Sequence, residues 1–248
     1  MPSLIRKSLN NALQKFGYEL TKTHNDSFGI KYLNDVKRLS NSYGKKINIA
    51  CDVGANIGVT TKEILQYFDS SKVFAFECHP NTFNKLVKNL AGTRAYPFEI
   101  ALSNTSGNDT FYDYGDEGYI NSLTPNAPYA VRFKKKAAEL SVMKKTIDEF
   151  CFENKISKID FLKIDTEGHD INVLRGGHKM LSSNSIAFIY FEFNDIYQDI
   201  NTDGGSLNTM TEYLSGFGFK FVATYTDYIV MEQRMFVVAN ALLFNPNA

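Results

Sequence analysis

The sequence predicts a doubly wound α/β domain, a mostly parallel sheet covered by helices on both faces. Three observations predict it. Short apolar runs alternate with stretches of helical period. The first run ends in a glycine-rich turn at Gly54 and Gly58. A chain of 248 residues is also long enough to bury one large core without cross-links.

Residues 1–46 read as an N-terminal helical extension. Ile5, Leu9, Ala12, Leu13 and Phe16 recur at helical spacing, with Arg6, Lys7 and Lys15 on other faces. Such a helix packs on the core or on a second copy of the chain, so a homo-oligomer is one expectation; docking on a membrane surface is the alternative. The main domain then runs from 47 to 248. Ile47–Val53 reads as a buried strand, followed by a helix from Gly58 to Phe68 and a second strand at Lys72–Cys78. Pro80 suits a helix first turn, and Phe83, Leu86, Val87 and Leu90 carry its period. Tyr96–Leu102 suggests a third strand. Ile159–Asp165, a helix from Asp170 to Leu181, and Ile186–Phe193 continue the alternation. A helix near Leu207–Leu214 precedes strands at Phe217–Tyr225 and Met235–Ala239, whose short polar connection around Asp227 suits an antiparallel hairpin.

Residues 104–145 break the pattern. They hold Gly107, Gly115, Gly118, Pro125 and Pro128 with little periodicity, as an insertion serving as a lid or acceptor loop does. Thr110–Tyr114 reads as an added strand within it.

Lys+Arg and Asp+Glu both number 27, and this balance predicts no nucleic-acid partner. The run Lys134, Lys135, Lys136 reads as a solvated loop. Cys51, Cys78 and Cys151 form no CxxC pair and read as reduced, buried thiols of a cytoplasmic protein. No apolar stretch approaches the roughly 20 residues that cross a bilayer, and the first twenty residues lack the apolar centre of a signal peptide. The expectation is a protein with no integral membrane segment.

The chemistry concentrates at the strand ends. Asp52-Val53-Gly54-Ala55-Asn56-Ile57-Gly58 spaces its glycines differently from a GxGxxG dinucleotide fingerprint and puts an acid before the first. That acid repels a pyrophosphate and suits a cofactor bearing an ammonium and a sulfonium. Glu77, at the second strand's tip, is placed to accept ribose hydroxyls. Asp165, Glu167, His169 and Asp170 crowd another strand end, which is costly unless they bind a cation, share protons or orient a substrate. A helix N-cap explains Asp170 and Thr166. Glu192 is a further acid inside the apolar run Phe188–Phe193.

These motifs, with Ala101–Asn104 (ALSN), Asn121-Ser122-Leu123, Thr146-Ile147-Asp148, Lys163–Asp170 (KIDTEGHD) and Phe191–Asn194 (FEFN), resemble the FkbM-type methyltransferases. The resemblance runs in order from Ile47 to Asn194; DVGANIG alone marks a methyltransferase, and the IDTEGHD block specifies the family. Asp170 stands where relatives often carry Glu, and Lys15–Leu20 is similar to leaders in bacterial members. The resemblance implies a Rossmann-like class I methyltransferase sheet of seven strands with an antiparallel C-terminal hairpin. It also implies S-adenosyl-L-methionine as cofactor and O-methylation of a sugar hydroxyl in a surface glycan or glycosylated metabolite. In that frame Asp52, Asn56 and the Gly54–Gly58 backbone hold the methionine portion, Glu77 the ribose, and Ala101 to Ser103 the adenine edge, with Asp165 also on the cofactor side. His169 is the first candidate base because imidazole titrates near neutrality; Asp165 and Glu167 are rivals, or ligands of a divalent metal. Asn121, Ser122 and Glu192 are assigned to the acceptor, with Tyr112, Tyr114, Tyr119 and Tyr129 as stacking candidates. His79 reads as a pocket or capping residue, and His24 and His178 as surface residues. Transfer to a small metabolite, lipid or protein is the alternative, as is a non-catalytic cofactor-binding module; an NAD-dependent oxidoreductase conflicts with the glycine spacing.

Overall fold

The apolar runs become strands because each can complete its backbone hydrogen bonds only with neighbours that are equally buried. The computed structural model describes residues 28–115, 121–124, 136–193, 206–231 and 235–248, with residues 9, 12, 13 and 15 before them. Helix α1 is Tyr32–Ser42, strand β1 Ile49–Val53, α2 Val59–Tyr67, β2 Lys72–Phe76, α3 Pro80–Leu90 and β3 Ala95–Phe98. Next come β4 (Ala101–Leu102), β5 (Gly107–Asp113), β6 (Ala138–Lys145) and α4 (Ile147–Glu153). The chain continues with β7 (Ile159–Ile164), α5 (Asp170–Arg175), α6 (His178–Ser182) and β8 (Ile186–Phe193). It closes with α7 (Leu207–Ser215), β9 (Lys220–Met231) and β10 (Met235–Phe244).

The main sheet has the order β3-β2-β1-β7-β8-β10-β9. Pairing is parallel from β3 to β8, and β10 is antiparallel to both β8 and β9, which forms the expected hairpin with Asp227 inside β9 rather than in its connection. The order reverses between β1 and β7, which opens a crevice at their carboxyl ends. Alternation sorts the side chains by face. Cys51, Val53, Leu162, Ile164, Ile189 and Phe191 share one core with α4 to α7. Ala50, Phe161, Phe188 and Tyr190 face α1 and α2 on the other side. Cys51 and Cys151 are buried free thiols. Burial raises the Cys151 pKa to about 12 and pushes Cys51 well above its ordinary value, which leaves both unreactive.

Helix α1 belongs to this core. Leu33 and Val36 are fully buried, each worth about 2 kcal/mol of apolar transfer. Asp35 Oδ2 accepts from the Gly29 N–H at 2.8 Å and the Tyr225 hydroxyl at 2.7 Å, tying the helix start to β9. Further upstream Leu9, Ala12 and Leu13 are helical, while Ile5 and Phe16 lie outside the described residues. Among the described residues no helix is long and apolar enough to cross a membrane.

Two expectations change. The third strand divides: β3 ends at Phe98, while β4 joins β6 and β5 in a second, three-stranded sheet. Pro97, which lacks an N–H, is tolerated because β3 is the edge of the large sheet. The helix expected over Asp170–Leu181 breaks into α5 and α6 at Gly176-Gly177, where a Cβ on Gly176 would stand 2.0 Å from the Ser103 carbonyl oxygen. The insertion thus holds two paired strands. Gly118, Tyr119, Pro125, Pro128, Tyr129, Lys134 and Lys135 of that insertion lie outside the described residues, as do His24 and Asn194, and Lys136 is exposed.

Candidate active site

A cleft opens at the switch point between the tips of β1, β2 and β7. Its floor is backbone. Gly54 adopts φ +73, and a Cβ there would fall 1.8 Å from the Asp165 carbonyl oxygen, so only glycine lets the two strand ends meet. Asn56 follows at φ 47, a left-handed position that Asn tolerates. Gly54 and Ala55 both donate their N–H to the Phe76 carbonyl, at 3.0 and 2.9 Å. Gly58 serves packing instead. Its φ is +89, and an added Cβ would meet Leu86 and Leu90 of α3 at 2.9 and 3.1 Å, away from the cleft lining.

Glu77 holds this turn from the side. Its Oε2 accepts the Asn56 N–H at 3.0 Å and its Oε1 the His79 N–H at 2.9 Å. Each oxygen keeps a lone pair for a ligand hydroxyl, and the residue lines the cleft. Burial raises its pKa above the ordinary glutamate value despite those two N–H bonds. His79 caps α3 through Nδ1, which accepts from Thr82, and its Nε2 meets Asp113 Oδ2 at 3.1 Å. That pair fixes the tautomer and pins β5 to the cleft.

The structure corrects the expected position of Asp52. Alternation along β1 turns it with Ala50 toward α2, and it is 0% exposed and absent from the cleft lining. Thr61 Oγ1 donates to its Oδ2 at 2.6 Å, and Lys163 Nζ pairs with its Oδ1 at 3.2 Å. Lys163 is its cross-strand neighbour on β7. It also lies 3.4 Å from Asp165 Oδ2 and donates to the Gly54 carbonyl at 3.2 Å. Burial works against the Lys163 charge, but Asp52 and Asp165 outweigh it and hold the pKa above the usual lysine value. The motif acid is therefore the buried partner of a lysine that supports the turn, and it does not line the cleft. Lys163 and Thr61 were missed as site residues. The signal was a lysine inside the apolar run IDFLKID, a buried charge that demands a partner.

On the other side of the crevice acids converge. Asp165, with 40% of its side chain exposed, lines the cleft, as do Thr166, Glu167 and His169. One carboxylate oxygen each from Asp165, Glu167 and Glu192 lies within 4.8 Å of the others. Glu167 (φ 53) and Gly168 (φ 91) reverse the chain here. Burial, then the neighbouring Asp165 and Asp170 charges, push the Glu167 pKa well up; burial and Glu167 do the same to Glu192. Asp170 accepts from the Thr166 N–H at 3.1 Å, the Thr166 hydroxyl at 2.6 Å and the Glu192 N–H at 3.3 Å. Burial nonetheless raises its pKa to about 6. Glu192 does not reach the cleft lining, because it sits within β8 behind the first row of acids.

Both ring nitrogens of His169 are engaged. Nε2 meets Ser103 Oγ at 2.9 Å, while Nδ1 meets Thr124 Oγ1 at 3.2 Å and Asn172 Nδ2 at 3.4 Å. Burial, with the Lys144 charge, lowers its pKa to about 4, so the ring is neutral rather than poised near neutrality. Ser103, 0% exposed, likewise anchors instead of lining the cleft; Ala101 and Leu102 supply that wall. Asn121 lines the cleft and accepts the Tyr114 N–H at 2.7 Å. Ser122 is buried out of reach, and its hydroxyl donates to the Thr166 carbonyl at 3.1 Å, fastening the insertion to the acid-rich loop.

Residues 52–221 match the Methyltransferase FkbM domain, which is more than half of the chain. Hexuronic acid methyltransferase AglP of Haloferax volcanii is 31% identical over 169 residues, covering 64% of this chain and 62% of that protein. 2-O-methyltransferase NoeI of Sinorhizobium fredii is 24% identical over 156 residues, covering 59% and 63%. Methyltransferase 1 of Beauveria bassiana is 28% identical over 141 residues, covering 50% and 56%. The chain thus spans about three fifths of the length of these relatives. Among solved structures, the METTL16 MTase domain superposes with a TM-score of 0.47 at 13% identity, covering 97% of this chain and 79% of that one. The match across the glycine-rich turn, the acid-rich loop and the strands between them places this chain in the FkbM methyltransferase family.

Proposed function

We propose that this chain transfers a methyl group from S-adenosyl-L-methionine to a hydroxyl, and that the acceptor is a sugar in a glycan or glycosylated metabolite. The observation that carries the cofactor half is Glu77, a carboxylate held at the cleft by two backbone N–H groups with acceptor capacity to spare. A carboxylate so placed accepts ribose hydroxyls, and the glycine spacing of the turn departs from the GxGxxG pattern that cradles a pyrophosphate. When bound, the cofactor supplies an electrophilic methyl group on a sulfonium. Glu77 would hold the ribose, the Gly54–Asn56 backbone the methionine portion, and Ala101 with Leu102 the adenine edge. The sugar acceptor is supported by the names of AglP and NoeI, which act on hexuronic acid and at a 2-O position respectively.

The attacking hydroxyl must lose its proton as its oxygen bonds to carbon. Asp165 faces the cleft and is assigned that proton, while His169 is read as an anchor that holds the acid-rich loop to Ser103. Residues 104–145, fastened at His79–Asp113 and Ser122–Thr166, are assigned to acceptor recognition, with Phe111, Asn121 and Leu123 the members among the described residues that reach the cleft. The test is mass spectrometry of a methylated product from a panel of nucleotide sugars and glycans, with the variants Asp165→Asn and His169→Ala. Asp165→Asn is expected to lower kcat by about 10²- to 10⁴-fold, and His169→Ala by about tenfold. A reversed ranking returns the base role to His169, and no product from any hydroxyl acceptor, despite cofactor binding, overturns the reading.

A further inference from the structure

We propose that Asp165, Glu167 and Glu192 together bind a hard divalent cation at the acceptor side of the cleft. Three independent features of the site converge on that ligand. The first is spacing: one oxygen from each residue lies within 4.8 Å of the other two. Oxygens this close can all reach one cation, whose shell takes six or more of them.

The second feature is an unsatisfied atom. Glu192 is 8% exposed, and its Oε2 is fully buried with no N–H or hydroxyl donor among the described residues, while its carboxyl group lies against that of Asp165. A buried carboxylate oxygen with no donor is expensive, and a cation within the cluster removes that cost. Asp170 shows the contrast: it lies beside the group, yet three donors from Thr166 and Glu192 satisfy it. The surplus of acceptors therefore belongs to the triad and not to the loop at large.

The third feature is charge. Lys163 is the base that reaches the group among the described residues, and it is divided between Asp52 and Asp165. Oxygen-only donors of this kind select Mg²⁺, Mn²⁺ or Ca²⁺ over zinc or copper, which favour His and Cys. Such a cation would lower the pKa of an acceptor hydroxyl brought to it, with Asp165 ligating through one oxygen and keeping the other for the proton. The proposal deepens the methyl-transfer reading and rests on it for its purpose.

The test uses the full chain stripped with EDTA and titrated with Mn²⁺, with free Mn²⁺ read by electron paramagnetic resonance, with and without S-adenosylhomocysteine. The expected result is one saturable Mn²⁺ per chain, displaced by Mg²⁺ and weakened about tenfold or more in both Glu192→Gln and Glu167→Gln. Circular dichroism checks each variant, and Glu167→Gln carries the comparison should Glu192→Gln fail to fold. No saturable site below about 1 mM Mn²⁺, or an affinity unchanged by both substitutions, overturns the proposal. S-adenosylhomocysteine binding measured in EDTA separates the two readings. If it survives while Mn²⁺ fails to bind, the cation site alone is wrong; if it is absent, the function reading itself falls.

Discussion

Glu77 and Glu192 stand on opposite sides of one crevice, and the protein treats them differently. Glu77 spends an oxygen on each of two backbone N–H groups and holds the glycine turn in shape. Glu192 leaves an oxygen buried with no N–H or hydroxyl donor among the described residues, beside two further acids. The difference extends to their surroundings. On the Glu77 side the chain answers its acids from within, with two N–H groups on Glu77 and with the Thr61 hydroxyl and the Lys163 charge on Asp52, and what remains is a preorganised concave surface. On the Glu192 side the chain brings together more carboxylates than it supplies donors for, which raises the Glu167 and Glu192 pKa values and leaves a proton or the proposed cation to complete the group. A finished half holds a molecule that arrives whole; an unfinished half is where protons or cations are exchanged.

Lys163 is the residue shared between the halves, and its loss is the largest expected effect. Lys163→Met leaves Asp52 buried with Thr61 as its remaining partner, and urea unfolding should show a loss of about 3–5 kcal/mol. Asp52→Asn leaves Lys163 with Asp165 and should cost less, about 1–3 kcal/mol. The double variant should recover much of the Lys163→Met loss, because no unpaired buried charge remains. Additive losses in that double-mutant cycle would mean that the two side chains do not depend on each other, and the contrast between the halves would lose its common element.

The sequence made the finished half easier to read than the unfinished one, for physical reasons. Buried parallel strands leave long apolar runs, so Ile186–Phe193 was legible to the residue. The glycine turn and Glu77 were legible because backbone geometry and strand tips constrain them strongly. Strand β6 was not: of Ala138–Lys145 only Val142 is buried, so a half-exposed strand in a small sheet carries almost no pattern. The orientation of Asp52 was available in the alternation of β1 but was overridden by the motif. The motifs point Ser122, Ser103 and His169 at ligands, yet these residues bond to one another's loops. Whether a polar residue faces a ligand or a neighbouring segment depends on packing between elements distant in sequence, which local pattern does not report.

A sharper probe of the finished half is Glu77→Gln. The glutamine can still accept one backbone N–H, but its amide group then faces the other as donor against donor. S-adenosylhomocysteine affinity should fall about tenfold, or about 1.4 kcal/mol by calorimetry. The pH dependence gives an independent sign. The Glu77 pKa is raised in the folded protein, so on acidification its carboxylate is protonated earlier than a free glutamate, and it ceases to accept ribose hydroxyls. Wild-type affinity should therefore decline as pH falls toward and through that raised value, and the Glu77→Gln profile should be flat there. A wild-type profile as flat as the variant's would detach Glu77 from the ligand and leave it as a turn brace.

The smallest expected effect tests whether the insertion is part of the unfinished half or merely lies over it. Ser122 donates to the Thr166 carbonyl and accepts from the Thr124 N–H at 3.0 Å, and Thr124 in turn touches His169. Ser122→Ala removes one buried hydroxyl and leaves that N–H and that carbonyl each short of a partner, which should cost about 1 kcal/mol in thermal unfolding. If the staple positions the acid-rich loop, kcat should fall a few-fold while S-adenosylhomocysteine affinity stays unchanged, since Glu77 and the glycine turn lie on the other side of the crevice. A fall in cofactor affinity with kcat intact would show that the insertion braces the finished half instead, and the division between the two sides would have to be redrawn along the β5–β6 sheet.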